Sequence, residues 1–359
     1  MMARDTILSH EAQTYDVDAL NCFSMVDSLT LTEAAVLILK SETAETRATR
    51  TRQVAKKWRE GIIASPHGHQ TDIERRCQIV NQVSECNGSL IPEGESVPLR
   101  WRNCDQEVHV SQYGAKRGKG RTLASRQRIL HALVHVESKA VELAWDIIVR
   151  FGESYSMPLS FFDDFVTVAE DEARHYSLLR NRLNELGSDY GAIEVQDGLW
   201  ESAIQTSNSL PARLAIEHCV HEARGLDVLP QTISRLQDGG DNISAQLLKD
   251  IILPEEISHC AIGLKWFKFL YERDGPRLYL NGKEDNNGST NETEYQSRES
   301  NKSSLNEGGT TQSHQSVTSF FHTTVRNHFR GLLKPPFNEE ARSAAGFTTE
   351  WYLPLAQRV

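Results

Sequence analysis

The sequence predicts an all-α protein built on a four-helix bundle, with a mixed helical and loop-rich region before the bundle and a strap after it. Three observations predict this. Residues 122–273 fall into four long stretches of helical periodicity. Two short links and one long one join them. The apolar stripe of each stretch is interrupted at mid-length by an acidic residue, in matching places.

The first 120 residues of the 359 form a region expected to pack on the bundle. The stretch LTEAAVLILKSETAETRATRTRQVAKKWREGI reads as helical, with Thr30 or Thr32 as its cap, and is basic toward its end at Arg50, Arg52, Lys56, Lys57 and Arg59. A loop-rich stretch with Pro66, Gly68, Pro92, Gly94 and Pro98 follows. The bundle itself, 121–277, comprises helices near 122–151, 160–186, 210–238 and 242–273. Each approaches 40 Å at roughly 1.5 Å per residue. The middle link, 187–209, is long, so two helical hairpins are joined by one crossover. Residues 278–315 are Asn, Ser, Glu, Gly and Thr with almost nothing apolar, which predicts a disordered insertion rather than a domain boundary. Order resumes over 316–359 as a short helix and an extended strap completing the domain.

The stripes carry the chemistry. The first runs through Leu130, Leu133 or Val134, Glu137, Val141, Ala144 and Ile148; the second through Phe165, Val168, Glu172, His175, Leu179 and Leu183. The third passes through Leu214, Cys219, Glu222, Leu226 and Leu229, and the fourth through Leu248, Ile252, Glu256, His259, Gly263, Trp266 and Leu270. Burying four glutamates in an apolar bundle is prohibitively costly unless something pairs them. Two divalent cations would do so, because four carboxylates and two neutral imidazoles leave a two-metal site close to charge balance. Glu-x-x-His places both side chains on one helix face, so the glutamate can bridge while the histidine holds a single ion.

The two hairpins repeat one another. Glu137 to Glu172 is 172 − 137 = 35 residues, and Glu222 to Glu256 is 256 − 222 = 34. Glu142 lies five residues after Glu137, as Asp227 does after Glu222. An acid, Asp171 or Glu255, precedes each glutamate of the two Glu-x-x-His motifs. Each is expected to accept the distal N–H of the histidine on the opposite hairpin and so fix its tautomer. Arg174 is expected to neutralise these acids, and Asp227 to stand with them behind the ligands. Glu217 rivals Glu222, but stripe phase and repeat spacing favour Glu222. His131, His135, His218 and His221 read as locally satisfied core or surface histidines. Cys219, Cys260, Trp145, Trp266 and Phe267 read as packing residues, and Pro254 should bend the fourth helix just before its ligands.

The segments HALVHVESKAVELAWD, EDEARHYSLL, DGLWESA, HEARGLDVLP, EISHCAIGLKWF and KPPFNEEARSAAGF resemble the ferritin-like family catalogued as domain of unknown function 455, from about residue 98 to the C-terminus. That family is similar to the di-iron tRNA hydroxylases and, more distantly, to rubrerythrin and the ribonucleotide reductase small subunits. The resemblance implies a ferritin-like fold and a di-iron site, carried here onto Glu137, Glu172, His175, Glu222, Glu256 and His259. It implies no substrate, and the 278–315 insertion departs from the compact pattern of the family.

Composition narrows the function classes. The net charge of −10, with a pI near 5.7, disfavours non-specific binding to nucleic acid or an anionic membrane. No run approaches the roughly 18 apolar residues of a membrane span. The N-terminus lacks the apolar core of a secretion signal, and six scattered cysteines without a CxxC pair read as reduced thiols, so a cytoplasmic protein is expected. The leading expectation is an oxidase or hydroxylase using two iron ions, since carboxylate-rich ligation favours hard, oxidisable iron, with manganese the main competitor. Such an enzyme implies an electron-transfer partner and a small-molecule or nucleoside substrate. An iron-handling or peroxide-scavenging protein without an organic substrate is the first alternative. A binding module with a structural metal is the second, in which the basic stretch Lys116, Arg117, Lys119, Arg121 and Arg126 would receive nucleic acid as a specific substrate; a solvated loop is the plainer reading of that stretch.

Overall fold

The computed structural model describes residues 29–67, 97–101, 108–112, 114–275, 316–329, 331 and 333–356. The expected low-complexity insertion lies outside them, as does most of the loop-rich stretch. Every described element is helical; the sole extended pairing among the described residues is an isolated parallel bridge between Val110 and Val195.

The N-terminal helical stretch is two helices, α1 (Leu31–Leu39) and α2 (Ala44–Arg59). Two threonine caps explain the break. Thr30 forms a full capping box with Glu33, and Thr43 accepts the Thr46 N–H to start α2. The bundle follows. Thr122 caps α3 (Leu123–Phe151), and Pro158 precedes α4 (Leu159–Glu185), at no cost because the first turn needs no proline N–H. The crossover contains a short helix, α5 (Gly198–Gln205), not anticipated from the sequence.

The third and fourth bundle helices each contain one π turn. Ser209 caps α6 (Leu210–Ala215), a π turn covers Ile216–His221, and α7 (Glu222–Asp238) continues the rod. Asp241 caps α8 (Asn242–Leu247), a π turn covers Leu248–Ile252, and α9 (Leu253–Asp274) completes it. Pro254 sits in the first turn of α9, where the hydrogen-bond ladder has already shifted register across the π turn. The C-terminal strap is largely helical: α10 (Val317–His328), α11 (Glu339–Ala344) and α12 (Thr349–Ala356).

One continuous apolar core joins these parts. The α3–α4 hairpin is its most intimate pairing, with α1 laid against α3 and α2 against α4. On the other side α10 packs on α6, and α11 on α7 and α9. Phe267 of α9 anchors the strap among Phe320, Phe321 and Trp351. At Gly263 the α9 rod approaches the first π turn so closely that a Cβ would stand 2.9 Å from the His218 Cβ and far inside contact with its carbonyl oxygen. This approach draws the two rods of the second hairpin together one turn beyond His259.

Candidate metal centre

Glu137 comes from the middle of α3, Glu172 and His175 from α4, Glu222 from the first residue of α7, and Glu256 and His259 from α9. Each π turn ends within four residues of a ligand-type glutamate. The extra residue of such a turn rotates all that follows, so the two π turns set the directions in which Glu222 and Glu256 face. The sequence holds a trace of the first. The third stripe steps five residues from Leu214 to Cys219, where an α-helix steps three or four.

These six side chains converge into two overlapping groups. Glu137, Glu172, His175 and Glu256 offer ligand atoms within 4.8 Å of one another, and so do Glu172, Glu222, Glu256 and His259. Glu172 and Glu256 belong to both groups. All are buried except Glu222, which keeps some solvent contact.

The histidines face the cluster through Nδ1. His175 Nδ1 lies 3.7, 3.5 and 3.4 Å from oxygens of Glu137, Glu172 and Glu256. His259 Nδ1 lies 2.9 Å from Glu172 Oε1, yet off the axis of a hydrogen bond. The opposite nitrogens are held from behind, across the hairpins. His175 Nε2 meets Glu255 Oε2 at 2.7 Å, and His259 Nε2 meets Asp171 Oδ2 at 3.4 Å. Arg174 donates to both acids, at 2.9 Å to Asp171 and 2.6 Å to Glu255.

Asp227 stands elsewhere. Five residues along a helix is roughly 140° around it, which turns this side chain away from the face of Glu222. Its carboxylate accepts from Arg342 of α11 at 2.8 and 2.6 Å and from the Asn338 N–H at 2.8 Å. The corresponding Glu142 is likewise turned out, onto Arg47 of α2 at 3.0 Å and Lys139 at 3.1 Å. The repeat therefore extends to the flanks: each hairpin presents an acid to a buried arginine from a terminal segment. Glu217 is buried beside His221, 3.8 Å away, and in neither group.

The electrostatics are those of a site short of positive charge. Burial, together with Glu172, pushes the Glu137 carboxyl well up; burial with Glu256 and Glu172 does the same to Glu222. Burial also opposes ionisation of Glu172, yet His259 and His175 hold it well below the usual carboxylate range. Burial disfavours charge on His175 and His259, but the surrounding carboxylates raise both well above the ordinary imidazole value. Protons thus do the neutralising when nothing else is present. Glu172 Oε2, His175 Nδ1 and His259 Nδ1 are enclosed without a hydrogen-bond partner. Buried polar atoms are rarely left so. All three belong to the overlapping groups, where a cation would satisfy them at once, so this donor set fits a metal.

Fold and site together define an all-α bundle with a buried glutamate–histidine cluster able to hold a metal ion. The family described as "Protein of unknown function (DUF455)" matches residues 40–353, and the chain belongs to that family. An uncharacterized protein of Haemophilus influenzae (strain ATCC 51907 / DSM 11121 / KW20 / Rd) is 38% identical over 150 residues, 41% of this chain and 52% of that protein. The chain therefore aligns with about half the length of this curated relative. No solved structure matches the chain.

Proposed function

We propose that the cluster holds two iron ions in a ferritin-like bundle and that the protein is an oxidase or hydroxylase that activates dioxygen. The observation that carries this reading is that Glu172 and Glu256 are shared between two four-residue groups. Shared carboxylates flanked by one private carboxylate and one private imidazole on each side suit a pair of ions rather than one. His175 and Glu137 would hold one ion, His259 and Glu222 the other, with Glu172 and Glu256 between them. Four carboxylates balance two divalent charges. The donor set is oxygen and imidazole without thiolate, which suits iron or manganese.

The bound pair would supply two reducing equivalents to dioxygen. The chain's own residues do the rest. Glu255 and Asp171 fix each histidine with Nδ1 free to bind, and Arg174 holds those two acids in place. Val134, Val141, Val168, Leu179, Leu226 and Ile252, all buried, lie one turn above or below the ligands and keep bulk water away. No described helix is long and apolar enough to cross a membrane. Each reaction cycle needs an external reductant, so an electron-transfer protein is the implied partner.

The test is metal analysis of protein purified with air excluded, followed by dioxygen uptake with a reductant. About two irons per chain, lost in Glu172→Ala/Glu256→Ala, supports the reading. Metal binding that survives the double substitution sinks the site. Repeated turnover of free Fe²⁺ without reductant-linked dioxygen uptake favours an iron-handling protein instead.

A further inference from the structure

Four histidines of the bundle lie outside the ligand set, and the ring of each of three makes at least one hydrogen bond. His131 Nε2 accepts the Gly191 N–H at 3.0 Å, His135 Nδ1 meets the Tyr190 hydroxyl at 2.8 Å, and His221 Nε2 meets the Ser202 hydroxyl at 3.1 Å. His218 is different. It is buried, and its Nε2 is enclosed with no hydrogen-bond partner among the described residues. An imidazole left this way carries a desolvation cost that a leucine of similar size would not.

Its position gives that cost a purpose. His218 lies in the first π turn, four residues before Glu222 and so close to the same face. Its ring meets Phe165 edge-on, with centroids 4.9 Å apart, and Phe165 is on the inward stripe of α4 that continues to Glu172. Its own backbone carbonyl and Cβ lie against Gly263, four residues beyond His259 on the inward stripe of α9. The ring therefore occupies the core layer next to the cluster, where Glu172 and His259 are near enough to act on its charge. The edge of a phenyl ring cannot satisfy an imidazole nitrogen. Burial, with Arg213 nearby, pushes its pKa down to about 3, so the ring is neutral and carries a single N–H. A neutral imidazole does not compete with the metals for the carboxylates, and it offers a donor beside the cluster.

We propose that His218 donates a hydrogen bond to a small anion held at the metal pair, and so positions the ligand of the reaction centre without binding metal itself. This rests on the two-metal reading above. The ligand class is a small, hard, oxygen- or nitrogen-donor anion.

The experiment uses full-length protein loaded with ferric iron and titrated with azide, followed by the azide-to-iron absorption band. Metal content and thermal melting are measured in parallel. His218→Phe keeps the volume and removes the N–H; His218→Gln keeps a donor. The expected result is azide binding weakened by about ten- to a hundredfold in His218→Phe, substantially restored in His218→Gln, with two irons in both. Azide affinity within about twofold of wild type in an iron-loaded His218→Phe overturns the inference while leaving the metal centre standing. If His218→Phe does not load, His218→Leu removes the same N–H at smaller volume and is judged by the same criterion. Wild-type protein that takes up no iron overturns the metal reading itself, and the inference with it.

Discussion

Replacing Glu255 with alanine isolates what one carboxylate contributes from behind one histidine. Glu255 Oε2 meets His175 Nε2 at 2.7 Å, a strong charge-assisted contact, and takes the Arg174 guanidinium at 2.6 Å. Without it nothing fixes which nitrogen of His175 carries the proton, and Nδ1 is no longer held free to face Glu137, Glu172 and Glu256. Loss of such a partner typically weakens a metal by about 10- to 100-fold, or roughly 1.4 to 2.7 kcal/mol. Glu255 is 29% exposed, so water can replace part of the contact, which favours the lower half of that range. The effect should fall on one ion only, because His175 belongs to one of the two groups. Asp171→Ala should weaken the other ion, and by less, since His259 Nε2 lies 3.4 Å from Asp171, near the limit of a hydrogen bond. Anaerobic calorimetric titration with Fe²⁺ or Co²⁺ resolves the two steps. Equal weakening of both steps by Glu255→Ala, or of neither, refutes the division of the site into two histidine-specific halves.

Arg342→Ala should destabilise the protein by about 3 kcal/mol, because it removes the hydrogen-bonded cation of the buried Asp227 carboxylate and leaves only the half-exposed Arg224, 3.8 Å away; urea denaturation measures it, and Asp227→Asn on the same background should recover part of the loss. Gly263→Ala should cost about 1 to 3 kcal/mol or more, since the new methyl meets the His218 backbone, which cannot rotate aside; an unchanged melting temperature contradicts the close approach. The pH response of metal-free protein follows from the shifted groups. Glu137 and Glu222 are raised above their ordinary 4.5, and His175 and His259 above 6.5, so their contributions are complete below those values and are lost as pH rises through the raised ones. Glu172 is depressed, so its contribution is present above 4.5 and lost as pH falls through the lowered value. Chelated protein should therefore melt at lower temperature as pH rises from about 6.5 to 9, whereas metal affinity should rise over that interval as protons leave the ligands; melting curves with and without chelator show whether the two trends oppose.

Helical periodicity let the sequence determine a good deal. A repeat of 3.6 residues states which side chains share a face, and so it located the bundle helices and singled out Glu137, Glu172, His175, Glu222, Glu256 and His259, all of which lie in the two groups. The 35- and 34-residue separations made the hairpins recognisable as copies, because equal helix lengths put equal residues at equal depth. The break between α1 and α2 at Thr43 escaped the periodicity, because the stretch from Leu31 to Arg59 reads as one helix if the apolar pattern alone is followed. What faces a given side chain is another matter, since periodicity carries no information about the neighbouring element. Only the tertiary structure decided that both glutamates of the Glu-x-x-His motifs are the shared ones. It also decided that both histidines turn Nδ1 inward and that Asp227 closes on Arg342 of the strap rather than standing behind the ligands. The π turns belong to the same class. A one-residue register shift is stable only where packing, here the approach of Gly263 to the His218 backbone, favours it over the regular ladder. His218 shows the limit most clearly: its sequence neighbours suggest an ordinary core histidine, and only the surrounding helices reveal a buried nitrogen left without a partner beside the cluster.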